Sequence, residues 1–293
     1  MTKRTTGELV FAFFNTIGMI GLIFVFLIPI WHVAMGSISN PGLLSAHTGL
    51  ILQPLGEATL GGYRLVFAND AIITAYMNTL IYVVGATSLG VGLTILAAYC
   101  LSRPRLYFKS LIAFMITFTM IFSGGLIPTF MVVRDLGLLD TRWALIIPNA
   151  MSVFLILIMR TSFAQVPESL SEAALMDGAG HFRILFQIIL PVSKAIVAVV
   201  GLFYGIQHWN AWFHASIYLR DRGLFPLQLA LREIVIMNQD AMIIGAAEAA
   251  DVEMYRFLIQ YATIMVAIIP MMMIYPFVQK YFVKGVMIGS IKG

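Results

Sequence analysis

Residues Val10–Val33 read VFAFFNTIGMIGLIFVFLIPIWHV, a run without one charged side chain. A helix needs about 20 mostly apolar residues to cross the hydrocarbon core of a bilayer, and this run supplies them. It is continuously apolar rather than alternating, which selects a helix over a barrel strand. Moving outward along the chain, five more segments have the same character: Ala71–Leu101, Leu111–Val133, Trp143–Met159, Ala195–Leu219 and Phe257–Gln279. Of all residues, 60% are apolar and 11% charged, whereas soluble domains sit near one half and one quarter. That leaves too little polar surface to cover a water-facing globule, so lipid must solvate part of the chain. The expected fold class is all-α: a polytopic membrane protein with six transmembrane helices, forming one domain over residues 1–293.

The second segment exceeds one crossing and is expected to tilt or extend into water. Gly124, Gly125 and Pro128 predict a kink in the third. Lys3 and Arg4 before an apolar run resemble a signal peptide. The length of the run and the lack of a small-residue cleavage site predict that it is retained as a span. Loop cations set orientation. With the N-terminus inside, eleven lysines and arginines face the cytoplasm, among them Arg103, Arg105, Lys109, Arg160 and Arg183. Seven face outward: Arg64, Arg134, Arg142, Arg220, Arg222, Arg232 and Arg256. This bias predicts both termini in the cytoplasm.

What the spans lack is equally informative. None has Asp, Glu, Lys or Arg at its apolar centre, where ion-coupled transporters place the groups that bind the coupling ion. His208 and His214 are six residues apart, about 120° off a shared helical face, which is poor geometry for a metal. The single cysteine, Cys100, excludes a disulfide framework and a cysteine metal site. No basic run with interleaved aromatics supports nucleic-acid binding. No glycine-rich phosphate loop ending in Gly-Lys-Ser/Thr occurs, so energy from ATP would have to come through another subunit.

Between the fourth and fifth spans lies Gln165-Val-Pro-Glu-Ser-Leu-Ser-Glu-Ala-Ala-Leu-Met-Asp-Gly-Ala-Gly-His-Phe-Arg183. Pro167 suits a helix start, and Ser169 with Glu172 has the spacing of a capping box. A short helix is predicted from about Leu170 to Met176 or Asp177, with a turn at Gly178 and Gly180. A second helix follows through Phe182 to Ile189. Glu168, Glu172 and Asp177 give it an acidic rim, and Ala173 and Ala174 let a partner approach its backbone closely. From the residues alone, an amphipathic loop packed under the bundle fits equally well.

Glu172-Ala173-Ala174, Asp177-Gly178-Ala179, Ile188 and Leu190-Pro191 resemble the EAA loop (residues 164–191) of bacterial ABC-importer permeases. Gly124-Gly-Leu-Ile-Pro128, Leu136–Thr141, Trp143–Pro148, Asn210-Ala-Trp212 and Pro226-Leu-Gln228 resemble the maltose-permease-like carbohydrate branch, poly- and oligosaccharide members above all. Asp140 stands where that branch commonly has Asn. The resemblance implies that Glu168, Glu172, Ala173, Ala174, Asp177, Gly178 and Ala179 contact an ATPase. It implies a related second permease in a heterodimer, two ATPase subunits that bind ATP and Mg, and an extracytoplasmic sugar-binding protein. This chain would hold no cofactor and catalyse nothing itself. It would sit in the bacterial inner membrane and import an oligo- or polysaccharide, including acidic ones of the alginate type. A non-sugar solute or an ion-coupled transporter are the alternatives.

Sugar sites combine aromatic faces with amides and hydroxyls. The end of the fifth span is richest in these, and Gln207, Asn210, Trp212 and Tyr218 are the pathway candidates. Trp209 and Trp212 equally suit anchoring at headgroup depth. Gly201 and Gly205 are expected to permit close helix packing. The outer segment from Arg220 to Tyr255, with Asp240, Glu248, Asp251 and Glu253, is long enough to reach a binding protein or merely to cover the bundle.

Overall fold

A computed structural model describes the backbone of residues 5–236 and 249–290, and the side chains of 5–234, 255–276 and 279. Asp240, Glu248, Gly245 to Ala247, Lys3, Arg4 and the Lys292-Gly293 tail lie outside the described residues. Among those described there is no strand. In chain order run α1 (Thr6–Ser37), α2 (Pro41–Ala46), α3 (Gly61–Phe67), α4 (Asp70–Ser102), α5 (Lys109–Ile121), α6 (Leu126–Asp135), α7 (Trp143–Ile146) and α8 (Val153–Ala164). Then come α9 (Glu168–Met176), α10 (His181–Ile184), a π turn (Leu185–Ile189), α11 (Leu190–Val192), α12 (Lys194–Trp209) and α13 (Trp212–Tyr218). A 3-10 turn (Arg222–Leu224), α14 (Leu227–Ile236) and α15 (Ala249–Ser290) complete them.

Three helices are by themselves long and apolar enough to cross a bilayer: Thr6–Ser37, Asp70–Ser102 and Tyr255–Pro276. They correspond to the first, second and sixth expected spans. The other three expected spans are broken, and bent helix pairs bring the total to as many as six.

The third expected span, 111–133, is not a kinked rod. α5 and α6 meet at 110°. Phe122 is extended and Gly125 sits at φ 84, a region that glycine enters without steric cost. The 13 residues of α5 reach only about 20 Å. The fourth, 143–159, is displaced toward its C-terminal side. α7 stops after four residues, because Pro148 donates no backbone hydrogen bond, and the helix resumes at Val153. The fifth, 195–219, divides at Ala211. There φ −78 and ψ 53, with Trp212 N–H donating to Asn210 O at 2.9 Å, make an inverse γ-turn.

The chain forms two compact units, Met1–Asp70 with Glu233–Ile269, and Ala71–Arg232 with Pro270–Gly293. In the first, Leu44, Ile51 and Leu258 are buried with Met35, Leu55 and Tyr261 against them. His32 is the polar centre of this unit. Ile51 N–H donates to its Nδ1 at 3.0 Å, leaving Nε2 to meet Tyr261 Oη at 3.0 Å. The stretch of α1 from Leu9 to Ile28 is exposed all round, as suits a helix whose solvent is lipid.

Among the described residues, the second unit has two buried clusters. One gathers Tyr99, Leu155, Met159, Phe163, Ile184, Leu185 and Tyr204, and the other Tyr82, Val133, Leu145, Tyr218 and Phe225. Fully buried Tyr204 explains how the break before α8 is tolerated. Its Oη accepts from Ser152 N–H at 2.9 Å and pairs with Thr94 Oγ1 at 2.8 Å, satisfying a backbone donor that the interrupted helix leaves free. Gly90 lets α4 approach this break: a Cβ there would lie 2.8 Å from Ala150 O.

Candidate functional site

The helix predicted over Leu170–Met176 is α9, which starts two residues earlier, at Glu168. Pro167 stands at its N-cap position with no side-chain cap bond. Ser169 thus lies inside the first turn, and the expected capping box with Glu172 does not form. α9 turns 73° away from α8, and the helical run His181–Val192 turns 87° from α12. Both short segments lie across the directions of the long helices that flank them.

The C-terminus of α9 closes as a Schellman motif. Gly178, at φ 79, occupies the left-handed position. Its N–H donates to Leu175 O at 3.0 Å, and Ala179 N–H to Ala174 O at 2.9 Å. Ala179 is buried and Ala174 packs on the same cluster, supplying the apolar contact that accompanies this motif. The alternation Ala174, Gly178, Ala179 is therefore a helix terminator. Glu168, Glu172, Ala173 and Asp177 remain exposed, as do Leu175 and Met176, the latter 89% exposed. Of the seven expected contact residues, Ala174 and Ala179 pack inward, Gly178 shapes the turn while itself exposed, and Glu168, Glu172, Ala173 and Asp177 are open to a partner.

Behind α9 lies a recess of about 400 Å³ bounded by Tyr99, Cys100, Arg105, Glu168, Glu172 and Phe182. Sequence reasoning missed Arg103 here. Its Nη1 donates to Ser171 Oγ at 3.0 Å, its Nε and Nη2 to Ser102 Oγ at 3.2 Å, and its guanidinium lies 4.8 Å from the Tyr99 ring centroid. Ser171 is the buried residue of α9. An Arg just after an apolar run, with Arg105 and Lys109 close behind, reads in sequence as an orientation signal, and nothing in its spacing reveals a partner 68 positions away.

The pathway candidates lie in different surroundings. Gln207 and Asn210 are exposed, and Asn210 Nδ2 donates to Ile206 O at 3.0 Å. Trp212 is half-buried with the Arg232 guanidinium 4.0 Å above its ring. Tyr218 lies in the core against Phe130 and His214. Trp209 is buried edge-to-face with Tyr76. Gly201 and Gly205 face α4 at Val91 and Thr87, at ordinary contact distances of 3.8 and 4.0 Å for an added Cβ. Among the described residues no cluster of three or more His, Cys, Asp or Glu side chains could hold a metal.

At the other end of α4 a polar clasp holds residues 220–227. Asn78 Nδ2 donates to Gly223 O at 2.7 Å and Phe225 O at 3.3 Å, and Tyr82 Oη to Leu224 O at 2.7 Å. Thr79 Oγ1 accepts from Leu227 N–H at 2.7 Å, and Arg142 Nη2 donates to Asn78 Oδ1 at 3.3 Å. Asp140, at φ 57, adds a second hold: its Oδ1 accepts from Arg220 N–H at 2.8 Å and Asp221 N–H at 2.9 Å. These backbone donors draw its carboxyl below the usual carboxylate range.

Comparison with known proteins agrees with this architecture. The polygalacturonan/rhamnogalacturonan transport system permease protein YtcP of Bacillus subtilis is 40% identical over 239 residues, covering 80% of this chain and 82% of the relative. Protein LplC of the same organism is 34% identical, covering 99% of this chain and 97% of the relative. A crystal structure of a bacterial ABC transporter involved in the import of the acidic polysaccharide alginate contains a chain that superimposes with a TM-score of 0.85. It is 30% identical, and the match covers 96% of this chain and all of that one. Residues 90–288 match the model of one family. The chain belongs to the binding-protein-dependent transport system inner membrane components, and is a membrane subunit of such a system.

Proposed function

We propose that this chain is a single permease domain forming half the translocation pathway of an ATP-driven importer for oligo- or polysaccharides, acidic ones included. The observation that carries the coupling role is the outward face of α9. Three exposed carboxylates, Glu168, Glu172 and Asp177, stand around exposed Leu175 and Met176 on a helix ended by the hydrogen-bonded Gly178 turn. An ATPase surface with basic groups around an apolar groove complements it. The relatives' names support the saccharide cargo. Arg232, held over Trp212, is suited to attract an acidic chain. Gln207, Asn210, Trp212 and Tyr218 are retained as pathway residues, with Tyr218 acting from the core.

Two ATPase subunits bind ATP and Mg beneath this chain and a related second permease, with both termini cytoplasmic. An external binding protein delivers the sugar. ATP binding draws the ATPases together, α9 moves with them, and the spans alternate between outward and inward openings. The chain has no ATPase site of its own.

The test is made on the assembled transporter in liposomes. A Met176→Cys variant should cross-link to the ATPase. A Gly178→Pro variant, confirmed to assemble, should lose binding-protein-stimulated hydrolysis and uptake together, because proline cannot adopt φ 79. Cross-links that never reach an ATPase, with hydrolysis intact in the variant, would remove the coupling assignment.

A further inference from the structure

α4 carries polar fastenings at both ends. Near Ser102 it is tied to both sides of the Gly178 turn: Arg103 reaches Ser171 on α9, and Tyr99 Oη meets His181 Nδ1 on α10 at 3.2 Å. The tie is itself braced, since Ser102 Oγ donates to Tyr99 O at 2.7 Å and Lys109 Nζ to Arg103 O at 3.0 Å. Two to three turns in from Asp70, side chains of Asn78, Thr79 and Tyr82 hold the backbone at 223–227. About 38 Å of helix separates Asn78 from Arg103 at 1.5 Å per residue. Between the fastenings, α4 contains no proline, and Gly90 is locked against Ala150 O and the Tyr204 ring.

We propose that α4 is a strut that transmits movement between α9 and the 220–227 segment, with Arg103 and Asn78 as the positioning residues at its two ends. This rests on the reading of α9 as the ATPase contact. α9 meets the rest of the chain through its covalent neighbours, through Ala174, packed on the cluster that includes Ile95, Ala98 and Tyr99 of α4, and through its buried residue Ser171, bonded to Arg103. A displacement imposed on its exposed face therefore passes sideways into α4 through that apolar packing and through the Arg103 guanidinium, whose planar fork is pre-organised for its hydrogen bonds. A rigid helix transfers that displacement to its far end, where four hydrogen bonds take 223–227 along. By linkage, what a ligand does at one end is felt at the other with equal energy.

The experiment is a double-mutant cycle on the complete transporter, reading the ratio of binding-protein-stimulated to basal ATP hydrolysis. Arg103→Gln and Asn78→Ala are each expected to lower the ratio about 2- to 30-fold, the range spanned by residues that carry coupling. The double variant should fall no further than the worse single, because one strut can be cut only once. Thermal stability measured on the same four proteins should instead change additively, as it does for distant sites. Arg103→Lys should restore only part of the ratio, since an ammonium lacks the fork. If Arg103→Gln or Asn78→Ala fails to assemble, Ser171→Ala and Tyr82→Phe remove one bond from each fastening with little change of shape and enter the same cycle.

A coupling ratio that falls multiplicatively in the double variant, or does not fall in either single, overturns the strut. A wild-type complex whose hydrolysis never responds to the binding protein would overturn the functional reading instead.

Discussion

Asp140 shows how one residue can hold a loop in two ways. Its left-handed backbone lets the chain turn after α6, and its carboxylate gathers the amides of Arg220 and Asp221. The carboxyl titrates below the usual carboxylate range, so its contribution is present above the unfolded value and is lost as pH falls through the folded one. Amide exchange at 220 and 221 should therefore accelerate only below the usual carboxylate range. Asp140→Asn keeps an acceptor oxygen and tolerates positive φ, so it should preserve protection and abolish this pH dependence; Asp140→Ala should lose protection at every pH. Gly90 makes the opposite kind of demand, for space rather than conformation. Gly90→Ala is expected to destabilise the protein by about 1–3 kcal/mol through overpacking, seen as a lower unfolding temperature in detergent; an unchanged value would mean that the break before α8 yields freely.

At the scale of elements, the interruptions matter more than the helices. α8 can begin at Val153 because Tyr204 supplies the acceptor that Ser152 lacks. Tyr204→Phe should leave that part-buried donor unpaired, at about 1–3 kcal/mol, and raise protease sensitivity between 147 and 153. α9 depends in the same way on its terminator. Gly178→Ala retains the chain's length but forces a left-handed alanine, at about 1–2 kcal/mol, so hydrolysis by the assembled complex should be weakened rather than abolished. An effect as large as that of Gly178→Pro would show that the glycine touches the partner rather than merely shaping the turn.

At the scale of the whole molecule, the apolar spans carry no ionised side chain at their centres, and energy for uptake is expected from ATP alone. Uptake into vesicles should stop on ATP depletion and persist when ionophores collapse the proton and sodium gradients; the reverse pattern would identify an ion-coupled carrier.

Much of this was legible in the sequence because it depends on local rules. The runs at 10–33 and 71–101 are apolar over a bilayer's thickness, and any such run must become a helix in lipid. The Gly178 turn is equally local, since its backbone conformation excludes most other residues. Gly124, Gly125 and Pro128 announce a bend at 122–125 but not its 110° size, whereas the breaks at 147–152 and 210–211 lie inside apolar runs, where hydropathy is blind to a bend. Only tertiary partners determine whether an interrupted helix is satisfied. The fastenings of α4 were beyond reach for the same reason. Arg103 and Ser171, or Asn78 and Gly223, are brought together by packing across many tens of residues, and a hydrogen bond of that range leaves no periodic mark on the chain.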